Sequence, residues 1–285
     1  KNETEKELGL FFQEKQIRAK SIDGNILPII EHTADFTLRG GKRIRAFLCW
    51  LGFFSRHDPG NQAVKLYQEL NRVVIPSTLF NAMMSLELFQ SFCLIHDDII
   101  DQDTTRRGGP TVHEFFKEKG PSASLRASKR PFGSLDFTRD KFAQGEQKAK
   151  GKTAEHFGES MAILAGDLAF AWADELMSEA TWLSLRAKRS NLNKKEIAAS
   201  SHMGGIPRND ISAWGLYQTM KEEVIYGQSL DVLSQFGQAV IPQNKINELK
   251  TAWYSVVRPL QIGAALAGGD QNHLNDLAAF GVPVG

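Results

Sequence analysis

The fold class predicted for this chain is all-α, and three observations predict it. Apolar residues recur at helical spacing along most of the 285 residues. Alternation at strand spacing is almost absent. One run, from about Thr78 to Asp101, is apolar nearly all round and reads as a long core helix. The other elements follow in order. Glu5 to Lys20 reads as an amphipathic helix, and Asn25 to Thr37 as a second with Pro28 tolerated in its first turn. Lys42 to Phe54 forms a third, starting after Gly40-Gly41. Phe157 to Leu183, Ile211 to Phe236 and Asn244 to Ala267 give three more long helices, so the expected architecture is a large bundle.

Two stretches, about 117–152 and 183–210, break the pattern and are rich in Ser, Lys, Arg, Gly and Pro. They share an echo, Ser124-Leu-Arg-Ala-Ser-Lys-Arg130 against Ser184-Leu-Arg-Ala-Lys-Arg-Ser190. Bundle connections usually run about 2–8 residues, so both read as inserted, mobile surface segments. A basic partner-binding arm is the weaker alternative, because no aromatic residues interleave the charges.

Composition narrows the function. Net charge is +1, which argues against nucleic acid as the main partner. The two cysteines, Cys49 and Cys93, sit in apolar runs and read as buried reduced thiols, implying a cytoplasmic location. The first twenty residues have no apolar core of signal length, and no apolar run is read as a membrane span.

The chemistry concentrates in Leu94-Ile-His-Asp-Asp-Ile-Ile-Asp101, followed by Asp103, Arg106 and Arg107. Carboxylates packed into an apolar helix repel one another unless cations occupy the space. Asp97 and Asp101 lie one turn apart on one face, while Asp98 is offset by about 100° and supports rather than bridges. That pairing suits Mg2+, which takes one or two carboxylates and leaves other positions to phosphate and water. Arg106 and Arg107 cannot lose their charge and fork onto phosphate oxygens. Gly40-Gly41-Lys42-Arg43-Ile44-Arg45 adds a second cationic group, with Lys42 and Arg45 expected on one helix face. Lys250-Thr251 is a weaker cationic site. Gly227-Gln228-Ser229-Leu230-Asp231 places an amide and a carboxylate on one face; the bland reading is a buried hydrogen-bonded pair. His96-Asp97 could instead belong to a metal phosphohydrolase, but His32, His57, His113 and His156 offer no convincing ligand set, so His96 reads as a packing residue.

Together these motifs resemble the trans-isoprenyl diphosphate synthases. The resemblance runs in order through Gly40–Arg45, Glu87-Leu-Phe-Gln90, Leu94–Asp103, Arg106–His113, Phe157–Asp167, Gly227–Asp231 and Lys250-Thr-Ala-Trp-Tyr254. It implies a single domain over 1–285, an isoprenoid synthase fold of long helices around a central cavity, and a homodimer. The implied reaction joins an allylic diphosphate to isopentenyl diphosphate, head to tail. By resemblance, Asp97 and Asp101 ligate Mg2+ on the allylic diphosphate with Asp98 assisting. Arg106 and Lys250 hold that diphosphate, and Thr251 and Gln228 stand near the reacting carbon. Gly41, Lys42, Arg45, Gln90 and Arg107 hold isopentenyl diphosphate. Phe92, five residues before Asp97, is the expected plug below the site, beside the small Cys93. Geranylgeranyl diphosphate is the favoured product, with farnesyl diphosphate next. The family's second aspartate-rich motif would follow Phe280-Gly-Val-Pro-Val-Gly285, so the chain is expected to be incomplete at its C-terminal end and poorly active as written. The alternatives are a non-catalytic regulatory subunit of the same fold, a terpene cyclase and the phosphohydrolase. Lys42, Arg45 and Arg107 count against the cyclase, which needs no isopentenyl site.

Overall fold

The computed structural model describes residues 1–55, 76–119, 145–190 and 212–285. Among these residues the protein is helical apart from one two-stranded ladder. In chain order the elements are α1 (Asn2–Ile22), a 3-10 turn (Gly24–Ile26), α2 (Leu27–Leu38), α3 (Ile44–Phe54) and α4 (Ser77–Ile100). The ladder β1 (Thr105–Arg106) and β2 (Gly109–Pro110) leads to α5 (Val112–Lys119) and α6 (Gly145–Ser190). Then come α7 (Ala213–Gln235), α8 (Gln243–Asn247), a π-helical stretch (Glu248–Val257), α9 (Arg258–Leu266) and α10 (Gln271–Val284).

Local chemistry sets the boundaries. Asp23 accepts the Asn25 N–H at 2.8 Å and opens the turn into α2, whose first turn carries Pro28. Ser212 and Asp270 cap α7 and α10 through the N–H groups of Gly215 and His273, both at 3.0 Å. The single helix expected over Asn244 to Ala267 is divided into α8, the π stretch and α9. Pro259 contributes to the break, because it has no N–H for a continuing α ladder. Helices α5 and α10 were not legible in the periodicity. Most of the two basic stretches, with the Ser124–Arg130 segment, lies outside the described residues, as does His57. Their margins are helical: 117–119 end α5, and 145–152 and 183–190 belong to α6.

Helix α4 corrects one expectation and supports another. By length and hydropathy it is apolar enough to cross a membrane, contrary to the reading that no run approaches a span. Yet 67% of that apolar window is buried inside the protein, as expected of a core helix.

The chain divides into two compact units. The first comprises Lys1–Glu7, Lys42–Glu87 and Trp172–Gly285. Its core pairs α3 with α9, which bury Ala46 and Cys49 on one side and Leu260, Ile262 and Ala264 on the other. Buried Lys221 is held there by Asp174 at 2.8 Å and lies over the Tyr217 ring. The second unit comprises Leu8–Gly41 and Leu88–Ala171. Its core gathers Leu8, Phe12, Ile30, Phe36, Phe89, Ile95 and Phe116, all under 5% exposed.

In the second unit, His32 stacks flat on Phe115, ring centroids 3.6 Å apart, and its Nε2 is buried without a hydrogen-bond partner. Burial lowers its pKa to about 4. Between that value and the usual 6.5, the unfolded chain binds more protons than the folded one, so stability falls as pH drops through the window. His113 shifts in the same direction through burial. Urea unfolding at pH 7 and pH 5 should show the wild type losing more stability on acidification than His32→Phe. Parallel losses would remove His32 as a source.

Candidate active site

The sequence-predicted residues fall into both units. The second unit holds Asp97, Asp98, Asp101, Arg106, Arg107, Gly41, Gln90, Phe92 and Cys93. The first holds Lys42, Arg45, Gln228, Lys250 and Thr251.

In the second unit, the last turn of α4 presents the acids. Asp97 is half-buried, and its carbonyl accepts the Asp101 N–H at 2.8 Å, so one helical turn separates them as the spacing requires. Asp101 itself lies just past the helix end and is exposed, as is Ile100. The apolar embedding expected for all three acids therefore holds for Asp98 alone, which is fully buried. Its Oδ1 accepts a short hydrogen bond from Arg106 Nε, and Oδ2 has no hydrogen-bond partner. Burial raises the Asp98 pKa to about 6, and the Arg106 hydrogen bond and charge oppose that rise. Arg106 also donates to Asp103 at 2.9 Å. Asp98 thus orients an arginine.

The turn after this pair is conformationally demanding. Arg107 sits at φ 52° and Gly108 at φ 78°, between the paired strand residues Arg106 and Gly109. The Arg107 guanidinium lies against Gly41, where a Cβ would be 3.5 Å from its Cζ. Gly40 and Gly41 adopt φ 70° and 95°, conformations that favour glycine. The structure therefore brings the glycine pair and Arg107 together.

Below the acids, Phe92 meets Phe170 at 4.9 Å, Phe89 at 5.4 Å and His96 at 4.7 Å between centroids. His96 Nε2 lies 3.3 Å from the Ile163 carbonyl, and its ring fills the space beside Gly166, in keeping with a packing role. Cys93 is half-buried, whereas Cys49 is fully buried. Gln90 is half-buried on the same helix.

In the first unit, one expectation fails. Lys42 and Arg45 do not share a helix face, because α3 starts at Ile44 and Arg43 before it is left-handed at φ 54°. Lys42 is exposed ahead of the helix. Arg43 is buried and bonds Glu87 at 3.2 Å and Glu5 at 3.3 Å. Glu87 also accepts the Ala46 N–H at 3.3 Å, satisfying an orphan donor of α3. A lone carboxylate in the apolar stretch Leu86–Phe89 was the available signal for this partnership. Arg45 lies over the Tyr254 ring at 4.2 Å and donates to Ser255, while its Nε is buried without a partner. Tyr254 and Ser255 belong to the π stretch that also carries Lys250 and exposed Thr251. Lys250 donates to Asp231 at 2.6 Å and packs closely on Gly227. The amide–carboxylate pair considered for Gln228 and Asp231 does not form: Asp231 takes Lys250, and Gln228 Nε2 is buried without a partner.

Hard oxygen donors at Asp97 and Asp101, one turn apart and reachable by solvent, fit a divalent cation such as Mg2+. Among the described residues, no three His, Cys, Asp or Glu side chains form a cage. Two carboxylates fit an ion that takes its other positions from phosphate and water.

The sequence matches the polyprenyl synthetase family over residues 27–125 and 145–285. A short chain isoprenyl diphosphate synthase of Methanocaldococcus jannaschii is 30% identical over 139 residues, 49% of this chain and 25% of that protein. A geranylgeranyl diphosphate synthase of Sulfolobus acidocaldarius is 23% identical across 93% of this chain and 57% of its own length. Among solved structures, the geranylgeranyl pyrophosphate synthase of Corynebacterium glutamicum, complexed with isoprenyl diphosphate and magnesium, superposes with a TM-score of 0.68. That match has 28% identity and covers 100% of this chain and 64% of the other. The chain thus spans less than two thirds of the length of these relatives. Its all-α fold is the isoprenoid synthase fold of these neighbours. With the family match extending over most of the sequence, the chain belongs to the polyprenyl synthetase family.

Proposed function

We propose that the protein is a prenyltransferase that condenses an allylic diphosphate with isopentenyl diphosphate, head to tail, to a short-chain trans-prenyl diphosphate. The observation that carries the reading is the arrangement in the second unit. Asp97 and Asp101 stand one turn apart, Asp98 orients Arg106, and Arg107 lies against the open backbone of Gly41. Acids for a cation, arginines for phosphate and glycines for close approach are the parts a diphosphate needs.

Asp97 and Asp101 would hold Mg2+, which when bound neutralises diphosphate charge. Arg106 and Lys250 grip the allylic diphosphate, and Arg107, Gly41, Lys42, Arg45 and Gln90 grip isopentenyl diphosphate. The allylic C–O bond breaks with its electron pair on the departing diphosphate. Guanidinium charge stabilises that developing anion. The isopentenyl double bond attacks the allylic carbon, a C–C bond forms, and a proton passes to the released diphosphate. Gln228 and Thr251 would position the cation, and exclusion of water keeps it from being quenched.

The product is proposed to be geranylgeranyl diphosphate. The family relatives and the aromatic cluster of Phe92 with Phe89 and Phe170 support a bounded tail space. Replacing Phe92 by Ala should shift the products upward by at least one five-carbon unit. Unchanged product lengths would remove Phe92 as the floor. A homodimer in the cytoplasm, with the described units in one domain, completes the proposal.

The test is direct. The protein is incubated with Mg2+, labelled isopentenyl diphosphate and each allylic starter, and the products are sized. Elongated prenyl diphosphates with release of diphosphate are expected. Release of monophosphate without a new C–C bond would replace the transferase with the phosphohydrolase.

A further inference from the structure

Arg39 belongs to none of the roles above, yet it joins the two segments of the second unit that those roles depend on. It is the residue after α2 and immediately precedes Gly40-Gly41. Its Nη1 donates to the Pro110 carbonyl at 3.0 Å and reaches the Arg106 carbonyl at 3.5 Å. Its Nη2 makes a short bond to Asp35, and its N–H donates to the Asp35 carbonyl at 2.8 Å. The side chain is 18% exposed, so these bonds are partly shielded from water. Gly109 is required beside it, since a Cβ there would overlap the guanidinium.

The bonded carbonyls bracket the turn that carries Arg107. Arg106 and Pro110 belong to the two strands, and the left-handed residues Arg107 and Gly108 lie between them. A left-handed non-glycine residue is strained and persists only when its surroundings fix it. The ladder is two residues long on each side and cannot supply much of that restraint. One planar guanidinium with several fixed donors can reach both strands and Asp35 together, whereas an ammonium is a single point.

We infer that Arg39 is a positioning residue: it clamps the Arg106–Pro110 turn to the end of α2 and so fixes Arg107 against Gly41 in a diphosphate-binding geometry. The inference rests on the proposed reading of Gly41 and Arg107 as diphosphate contacts. Arg39 touches no reacting atom. Its loss should therefore weaken isopentenyl diphosphate binding more than it slows the chemical step.

The test compares Arg39→Ala, Arg39→Lys, Gly109→Ala and the Arg39→Ala/Gly109→Ala double variant. Steady-state kinetics is combined with hydrogen exchange at the Thr111 amide, which bonds the Thr104 carbonyl at 3.1 Å. Arg39→Ala should raise KM for isopentenyl diphosphate about tenfold, with kcat changed less than about threefold, and should speed Thr111 exchange. Arg39→Lys should fail to restore either property. Gly109→Ala should reproduce the KM change by displacing the guanidinium, and the double variant should be no worse than Arg39→Ala alone. Additive losses in the double variant, or wild-type KM and exchange in Arg39→Ala, would overturn the clamp. If the wild type binds no isopentenyl diphosphate while Arg39→Ala still speeds exchange, the proposed function falls and the clamp survives only as a structural contact, which also overturns the positioning role.

Discussion

Replacing Asp97 with Ala is expected to lower turnover roughly a thousandfold, in line with removing one preorganised electrostatic group from a transition state. Asp97 is half-buried in the last turn of α4, and the backbone bond from Asp101 N–H to its carbonyl survives substitution. Alanine is the best helix former, so α4 should persist. The carboxylate itself sits beside Asp98, whose charge is already disfavoured by burial. Removing a neighbouring negative charge lessens the repulsion on Asp98 while emptying half of the proposed cation site. Helix content should therefore be kept while activity collapses. Asp97→Asn separates charge from shape, and it should be almost as inactive as Asp97→Ala. Product formation across a magnesium titration, with circular dichroism on the same samples, measures both. An Asp97→Ala variant with near-native turnover would sink the assignment of the acids. Asp98→Ala is a poorer probe, since it also takes the Nε partner from Arg106.

The fold and the site were legible in the sequence to different depths. Helices such as α1 and α4 announce themselves because an apolar stripe must repeat every turn to be buried. The break at Glu248–Val257 does not show in that repeat, because a π stretch keeps the apolar residues Ala252, Tyr254, Val256 and Val257 inward over a similar length. The start of α3 was misplaced for a related reason. Lys42 and Arg45 have helical spacing, but spacing does not report that Arg43 is left-handed and anchored by Glu87. The acids were legible because like charges at helical spacing have few bland explanations. Their division of labour was legible only in outline: the offset of about 100° set Asp98 apart from Asp97, but not that Asp98 is fully buried and spent on Arg106. Arg39 showed only an i,i+4 pairing with Asp35, since its partners across the turn are the carbonyls of Arg106 and Pro110, and carbonyl groups are the same in every residue.

The largest expected effect on stability lies in the first unit, where α3 crosses α9. A Cβ on Gly263 would overlap the Cys49 carbonyl, and one on Gly52 would overlap the Leu260 carbonyl. Each helix thus lays a glycine on the backbone of the other. The contact buries Ala46, Cys49 and Gly52 at three-residue spacing along α3, against Leu260, Gly263 and Ala264 of α9. A flexible side chain could swing aside to admit a methyl group, but a helical carbonyl cannot move without dragging its turn. Gly263→Ala should therefore sit at the upper end of the usual overpacking range, about 3 kcal/mol of lost stability. Helix propensity works against that loss by up to about 1 kcal/mol, which is too little to offset it. Gly9 in α1 provides the control, because no atom beyond its chain neighbours and its own helix backbone lies within 4 Å of a Cβ built there. Gly9→Ala should be neutral or gain about 0.5–1 kcal/mol from the same propensity term acting alone. Urea unfolding of both variants beside the wild type decides the matter. If Gly263→Ala unfolds no more readily than Gly9→Ala, the helices can part at little cost, and the close crossing of α3 and α9 is not what holds the first unit together.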